Sequence, residues 1–427
     1  MLRPLRDRDF RLLWAGMTVS LLGDGVYLVA VAWQAYDVSN SPAALAVTGV
    51  AWTLPTVLLL PFGGTLSDRI GRRPLMITAD LLRAVAVAVI SVLSLSGHLE
   101  IWHLVALSAL FGVGEALFGP SFTAIVPEIL PRDLLLEANA LDQTMRPLAF
   151  QFAGPALGGL LVGVWGPGSA FALNAATFLV SAACVALMRV RRVADREDEP
   201  SSMLDDMREG LAYARGQTWL WGTLLAFSVA VLAFWGPWEV LVPFVIRNHL
   251  DGGAGAYGLV LAAGGLGSIA GAVAMGHLGM PRRRMDVMYG CFIVSSFAIV
   301  FYGLAGSVWQ VGLVAALIGA CFGVGIVIWG TMMQSLVPNE LLGRVSAIDW
   351  MVSTALAPLS FALVGPLSDQ IGARETLVGA GLVSGVVLLA FYLAIPGMRD
   401  VDRAAYLGMS ITSAEMVPSR RYACQWR

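Results

Sequence analysis

"GGTLSDRIGRRPLM", residues 63–76, crowds Asp68, Arg69, Arg72 and Arg73 into a few positions, bounded by glycines and closed by Pro74. The chain is almost wholly apolar on both sides of it. Glycines let a chain reverse tightly, and arginines hold a loop on one side of a bilayer. A compact charged turn between two long apolar stretches therefore reads as the connection between two membrane-spanning helices.

Composition agrees with that reading. Of the 427 residues, 57% are hydrophobic and 13% charged, against about 45–50% and about 25% in soluble domains. Such a balance belongs in lipid, so the chain is expected to be an integral membrane protein with the bilayer as its surroundings. The net charge of −2 gives no footing for nucleic acid. All 27 basic residues are arginine, which fits codon bias in a GC-rich bacterium. Cys184, Cys291, Cys321 and Cys424 lack CxxC spacing and form neither a disulfide framework nor a metal site. The apolar run after "MLRPLRDRDFRLLWAG" outlasts a signal peptide and has no A-x-A-like cleavage site, so it reads as a retained first span.

A spanning helix needs about 20 mostly apolar residues. That ruler predicts twelve spans, over 11–36, 43–66, 74–96, 101–126, 140–164, 168–188, 218–246, 256–279, 285–306, 309–335, 345–367 and 374–395. The separations at 164–168 and 306–309 are the least marked. Arginines cluster in alternate connections (Arg69, Arg72 and Arg73; Arg189 to Arg215; Arg282 to Arg284; Arg344), and the other side holds only Arg247 and Arg374. Basic residues stay cytoplasmic, so both ends are expected inside, in the cytoplasmic membrane of a bacterium. The expected domains are a six-helix bundle over 1–190, a linker with an amphipathic helix over 191–217, a second bundle over 218–396 and a tail over 397–427.

The chain also repeats itself. "PRDLLLEANALD" at 131–142 matches "PNELLGRVSAID" at 338–349, each before the fifth span of its half. "LSDRIGRR" at 66–73 is echoed by "LSDQIGAR" at 367–374, and more weakly by "GHLGMPRRRMDVM" at 276–288. Two similar halves, each built from inverted three-helix units, make up a known architecture of secondary transporters. The fold class is thus all-α, with twelve transmembrane helices in two pseudo-symmetric six-helix bundles.

The opening stretch resembles the loop signature of the major facilitator superfamily, G-x-L-x-D-R-x-G-R-[RK], through Gly64, Leu66, Asp68, Arg69, Gly71, Arg72 and Arg73. More narrowly, "LLGDGVYLVAVAW", "DLLRA", "VPEILPRDLLLEANALDQT" and "REGLAYARG" resemble the branch holding enterobactin exporters and macrolide efflux proteins, drug:proton antiporters. The resemblance implies that the loop latches the two halves at the cytoplasmic face, with span eleven near Gly343 and Arg344 as the receiver. Physics supplies a reason, since Asp68 can meet the positive N-terminal end of a helix; a plain topological anchor is the alternative.

In span five, Gly154, Pro155, Gly158 and Gly159 resemble the G-P-x-x-G-G core of an export signature, although Phe150 stands where a further glycine is expected. Span eight is similarly rich in glycine, through Gly264, Gly265, Gly267 and Gly271. Small residues allow close helix approach, so these spans are expected to meet across the halves.

Ionisable residues at membrane depth are costly and usually functional. Asp24, Glu115 and Glu239 are the proton or substrate-cation candidates, in spans that the resemblance implies line the cavity. Asp80 and Arg83, three apart on one helix face, are expected to form a structural ion pair. Asp142, Arg146 and Asp349 lie nearer the span ends and are expected to be structural. Many proton antiporters of the superfamily carry an arginine four residues before a glycine in span four; before Gly112 this chain has Ser108. Trp235, Trp238 and Trp329 are candidates for an aromatic drug pocket, while most other tryptophans fit interface belts.

Neither an H-E-x-x-H nor a G-x-S-x-G motif occurs, and a chain without lysine has no Walker lysine. An enzyme is therefore not expected, nor any cofactor or resident metal. The expected activity is export of an amphipathic small molecule (drug, siderophore or secondary metabolite) in exchange for protons, by a monomer. An importer of a sugar or metabolite by proton symport, and a non-transporting sensor or scaffold, remain as alternatives.

Overall fold

The computed structural model describes residues 3–131, 134–189, 203–395 and 397–398. The side chain of Asp68, the surroundings of Gly64, linker positions 190–202, Arg132 and the tail from 399 onward lie outside that description. Twelve helices are long and apolar enough to cross a membrane, and no strand occurs among the described residues. Spans one to six are Arg8–Val38, Pro42–Ile70, Arg72–Leu95, Ile101–Ile129, Glu137–Trp165 and Pro167–Ala186. Spans seven to twelve are Thr218–His249, Ala254–Leu278, Arg284–Leu304, Val308–Leu336, Leu341–Ile371 and Ala373–Ala394. Even span six, with 20 residues, reaches about 30 Å, the thickness of the hydrocarbon layer.

The helices start and stop for local reasons. The Asp7 carboxylate accepts the backbone N–H groups of Asp9 and Phe10, each at 2.9 Å, and so caps span one. A single glycine joins spans two and three: Gly71 takes φ 99°, and its N–H donates to Ser67 O at 3.0 Å. Gly372, in the echoed motif between spans eleven and twelve, takes φ 97° with the same bond to Ser368 O at 3.0 Å. Only glycine adopts that backbone without strain, so the repeat in the letters is also a repeat in geometry.

Packing shows the same internal symmetry. Spans two and four, three and four, three and six, one and six, and one and five pack together. Adding six to every number gives eight and ten, nine and ten, nine and twelve, seven and twelve, and seven and eleven, which pack as well. Between the halves, span two meets span eleven and span five meets span eight; the same exchange converts one contact into the other. This is the two-bundle architecture in which a pseudo-twofold axis relates the halves.

With six spans between them, the start of span one and the linker share one face, called the linker face here; the opposite one is the far face. The linker helix, Met203–Gly216, packs on the first part of span eleven. Buried apolar side chains divide accordingly. On the far side one cluster runs through both halves, with Tyr27, Tyr36 and Phe171 from the first and Val240, Tyr257 and Phe361 from the second. On the linker side each half keeps its own cluster, around Phe10, Met76 and Ile125 in one and Trp219, Met288 and Met332 in the other.

Three spans are interrupted. Span five passes through a π-helical stretch at Pro147–Ala153, span seven through another at Pro237–Leu241, and span eleven breaks between Thr354 and Ala357. Pro147, Pro155, Pro237, Pro243 and Pro358 sit at or beside these points, and each removes a ladder donor. The sequence "FWGPWE" predicts such a break in span seven.

Candidate functional site

The halves meet at mid-depth around a small cavity of about 20 Å³. Span one contributes Tyr27 and Val31, span two Thr48 and Trp52, span four Ser108, span seven Glu239 and span eleven Phe361. That volume suits a water molecule rather than a larger ligand. Its walls are aromatic. Tyr27 stacks on Phe111 with ring centroids 4.8 Å apart, and Trp52 stands edge-on to both. The Phe361 ring fills the space that a side chain at Gly49 would need.

Polar groups are threaded between the rings. Tyr27 Oη and Ser108 Oγ share a hydrogen bond at 3.2 Å, so Ser108 serves the tyrosine at the place where the resemblance leads one to look for arginine. Trp52 Nε1 donates to Glu115 Oε2 at 2.5 Å. Trp235 donates a hydrogen bond to Glu239, and Trp238 donates one to the Tyr302 hydroxyl oxygen. Behind the ring layer, Arg83 Nη2 lies 2.5 Å from Asp80 Oδ1, and its Nη1 lies 4.0 Å from Asp24 Oδ2.

The candidates from sequence are therefore distributed as follows. Glu239 faces the cavity from the second half, with Trp235 and Trp238 beside it. Glu115 reaches it through Trp52, and Asp24 with the Asp80–Arg83 pair lies one layer deeper in the first half. Trp329 sits elsewhere: its Nε1 donates to Asp349 Oδ2 at 3.0 Å, and it packs on Trp219 in the linker-side cluster. Asp142 and Arg146 lie 3.5 Å apart.

Tyr27 and Phe361 were not among the sequence candidates, because an aromatic residue inside an apolar run carries no distinguishing signal. A second missed group closes the far face. Arg247 of span seven pairs with Asp37 of span one at 2.7 Å and lies over the Trp33 ring at 5.3 Å. Asn40 and Asn248 exchange side-chain hydrogen bonds at 2.8 and 3.2 Å, and Tyr36 donates to Val240 O at 2.5 Å. The solitary arginine at that end of span seven was the available signal.

The glycine-rich spans do two different jobs. A Cβ on Gly258 would lie 2.5 Å from Pro155 O, and one on Gly265 would lie 2.4 Å from Gln151 O, so spans five and eight touch backbone to backbone across the halves. Gly159 takes part in that contact, whereas Gly154 and Gly158 face span one. Gly264, Gly267 and Gly271 instead pack on span ten within their own half.

At the linker face, Arg72 pairs with Glu128 at 2.8 Å and also donates to Ala124 O. Arg73 donates to Val185 O at 3.0 Å and to Ala186 O. Both arginines thus satisfy carbonyls near the C-terminal ends of spans four and six, where positive charge is favoured. Arg344, expected beside the latch, pairs with Glu209 of the linker helix. Tyr213 of that helix donates to Leu336 O at 3.1 Å.

Comparison with known proteins places this geometry. The profile of a family described as transmembrane secretion effector matches residues 1–421. The macrolide efflux protein A of Streptococcus pyogenes is 22% identical over 400 residues, covering 92% of this chain and 96% of the relative. The multidrug efflux pump Tap of Mycolicibacterium fortuitum is 26% identical over 405 residues, covering 92% and 97%. Tap of Mycobacterium tuberculosis is 26% identical over 420 residues, covering 93% and 96%. With twelve apolar helices in two matched bundles and a profile spanning nearly its whole length, the chain belongs to the transmembrane secretion effector family of the major facilitator superfamily, a family of transporters.

Proposed function

We propose that this protein exports amphipathic small molecules across a bacterial cytoplasmic membrane by alternating access, in exchange for protons, with the linker face in the cytoplasm. The observation that carries the reading is the cavity between the halves, which has a carboxyl group, Glu239, set among Tyr27, Trp52 and Phe361. Aromatic rings and one carboxylate suit an apolar body bearing a positive charge. The names of the relatives, macrolide and multidrug efflux, support cargo of that class. The state described here is closed on the far side, where one apolar cluster joins the halves, and it corresponds to the inward-facing end of the cycle.

Expression in an efflux-deficient bacterial host tests the reading. Resistance to macrolides and cationic dyes such as ethidium should rise with the wild-type protein and fall back with Glu239→Gln at equal membrane level. In everted vesicles the same compounds should accumulate when the interior is acidified. Unchanged susceptibility across the panel, or movement in the opposite direction, overturns it.

A further inference from the structure

We propose that Asp24, Arg83 and Asp80 form one coupling site, in which Asp24 takes up and releases the exchanged proton while Arg83 passes between the two carboxyl groups. This rests on the proton-exchange reading above and assigns its residues.

Arg83 is unusually placed. It is 4% exposed and Asp80 is 0% exposed. The arginine stem lies against span four, where a Cβ on Gly114 would come within 2.6 Å of its Cγ. The guanidinium carbon lies 4.7 Å from the Phe118 ring centre and 4.3 Å from that of Phe178. Aromatic faces hold the charge without fixing which carboxylate it serves. One Nη atom is bonded to Asp80, while the other stops 4.0 Å short of Asp24, beyond hydrogen-bond reach but within that of a side-chain rotation.

A purely structural pair would be closed on itself, since arginine and carboxylate can bond in two places at once. This one is left open. Asp24 Oδ1, Arg83 Nε and Asn174 Nδ2 lack hydrogen-bond partners among the described residues, while the Ser181 hydroxyl serves Asp80. Leaving buried polar atoms unmet is costly, and the cost gathers at a single place.

The groups facing Asp24 come from four other spans. Arg83 and Asp80 approach from span three, Glu115 from span four and Arg146 from span five. Span six brings only the neutral Asn174 and Thr177, against neighbouring Gly23. Arg146 is already paired with Asp142, and Glu115 is held by Trp52. Three carboxyl groups therefore share one guanidinium, and the cluster is electrically neutral only with protons bound. Ser108 of span four is neutral and bonded to Tyr27, so the cation near Asp24 is Arg83 of span three.

The step balances simply. A proton from water forms an O–H bond on an Asp24 oxygen, which loses its charge and its pull on Arg83; the guanidinium then serves Asp80 alone, as in this structure. Loss of the proton to water restores the carboxylate, draws Nη1 across the 4.0 Å gap and ties span one to span three. Span one also carries Tyr36 and Asp37 of the far-face closure, and Asn40 follows just beyond its end, so the proton acts on the helix that must move.

Infrared difference spectroscopy on purified full-length protein in lipid, titrated with pH and without cargo, tests the assignment. The wild type should show a protonated-carboxyl band that varies with pH. Asp24→Asn should remove it, Asp24→Glu should restore it at a changed frequency, and Arg83→Lys should displace its midpoint. A band unaltered in Asp24→Asn, or a midpoint indifferent to Arg83→Lys, overturns the proposal. Should the asparagine variant fail to insert, the Asp24→Glu and Arg83→Lys spectra decide alone. In everted vesicles loaded through ethidium transport, Asp24→Asn should lose accumulation driven by a pH gradient by about tenfold or more. Exchange of labelled for unlabelled ethidium without a gradient should persist. A wild type unresponsive to the gradient defeats proton exchange itself, whereas a responsive wild type with an equally responsive Asp24→Asn defeats only the present assignment.

Discussion

Trp52 joins the two chemistries of the site, with its ring facing the cavity and its N–H on Glu115. Trp52→Phe keeps most of the ring and deletes the donor. A hydrogen bond to a charged group is worth about 1.5–3 kcal/mol, so the variant should melt at a lower temperature in detergent, and transport should weaken even where expression is normal. Glu239→Gln should behave differently, losing cationic cargo such as ethidium by about tenfold while sparing uncharged cargo; competition assays in everted vesicles would separate the two. Asp24, Glu115 and Glu239 could be found in the sequence because a carboxyl group inside an apolar run is expensive and therefore conspicuous. Tyr27 and Phe361 could not, since their burial looks the same whether they pack a core or line a cavity. Trp329 illustrates the converse: the letter suggests a pocket, yet its N–H is committed to Asp349.

Elements were far more legible than residues, because hydropathy over about 20 residues averages away the ambiguity of any one of them. The helices overrun their predicted limits mainly at polar ends, as in span two, which continues to Ile70, and span eleven, which continues to Ile371. The short link between spans five and six is possible because Gly166 turns the chain at φ 78°. Which face of span eight meets span five was not legible, since glycines face both ways along it. Gly258→Leu tests that contact. With Pro155 O only 2.5 Å from the new Cβ, the halves should fail to close on the far side, and thiol labelling of a cysteine placed at Asn40 should quicken. The opening turn makes a second prediction at this scale. Asp68→Asn should insert and express normally yet transport several-fold more slowly if the loop is a latch, whereas full activity would leave it a topological anchor.

For the molecule as a whole, the proposed alternating access makes the balance of contacts on the two faces decide which side is open. The Asp37–Arg247 pair is 39% and 27% exposed, so screening keeps it near the value of a surface ion pair, with a modest contribution from the Trp33 ring. Together these come to about 1 kcal/mol, which is about a fivefold change in population. Arg247→Ala should therefore shift distance distributions between spin labels on spans one and seven toward far-side opening by roughly that factor. The symmetry behind this balance could be read from two short repeats, but the state adopted could not, because both states satisfy the same pattern of apolar letters.

The helix Met203–Gly216 also bears on how the polypeptide could be divided. Glu209 and Tyr213 fasten it to Arg344 and Leu336, and Ala214 is buried in the cluster around Trp219. If the gene were cut in two and the pieces co-expressed, a break upstream of that helix should yield fragments that reassemble and work. A break downstream of it would strand the helix on the wrong fragment, and reconstitution should be poorer.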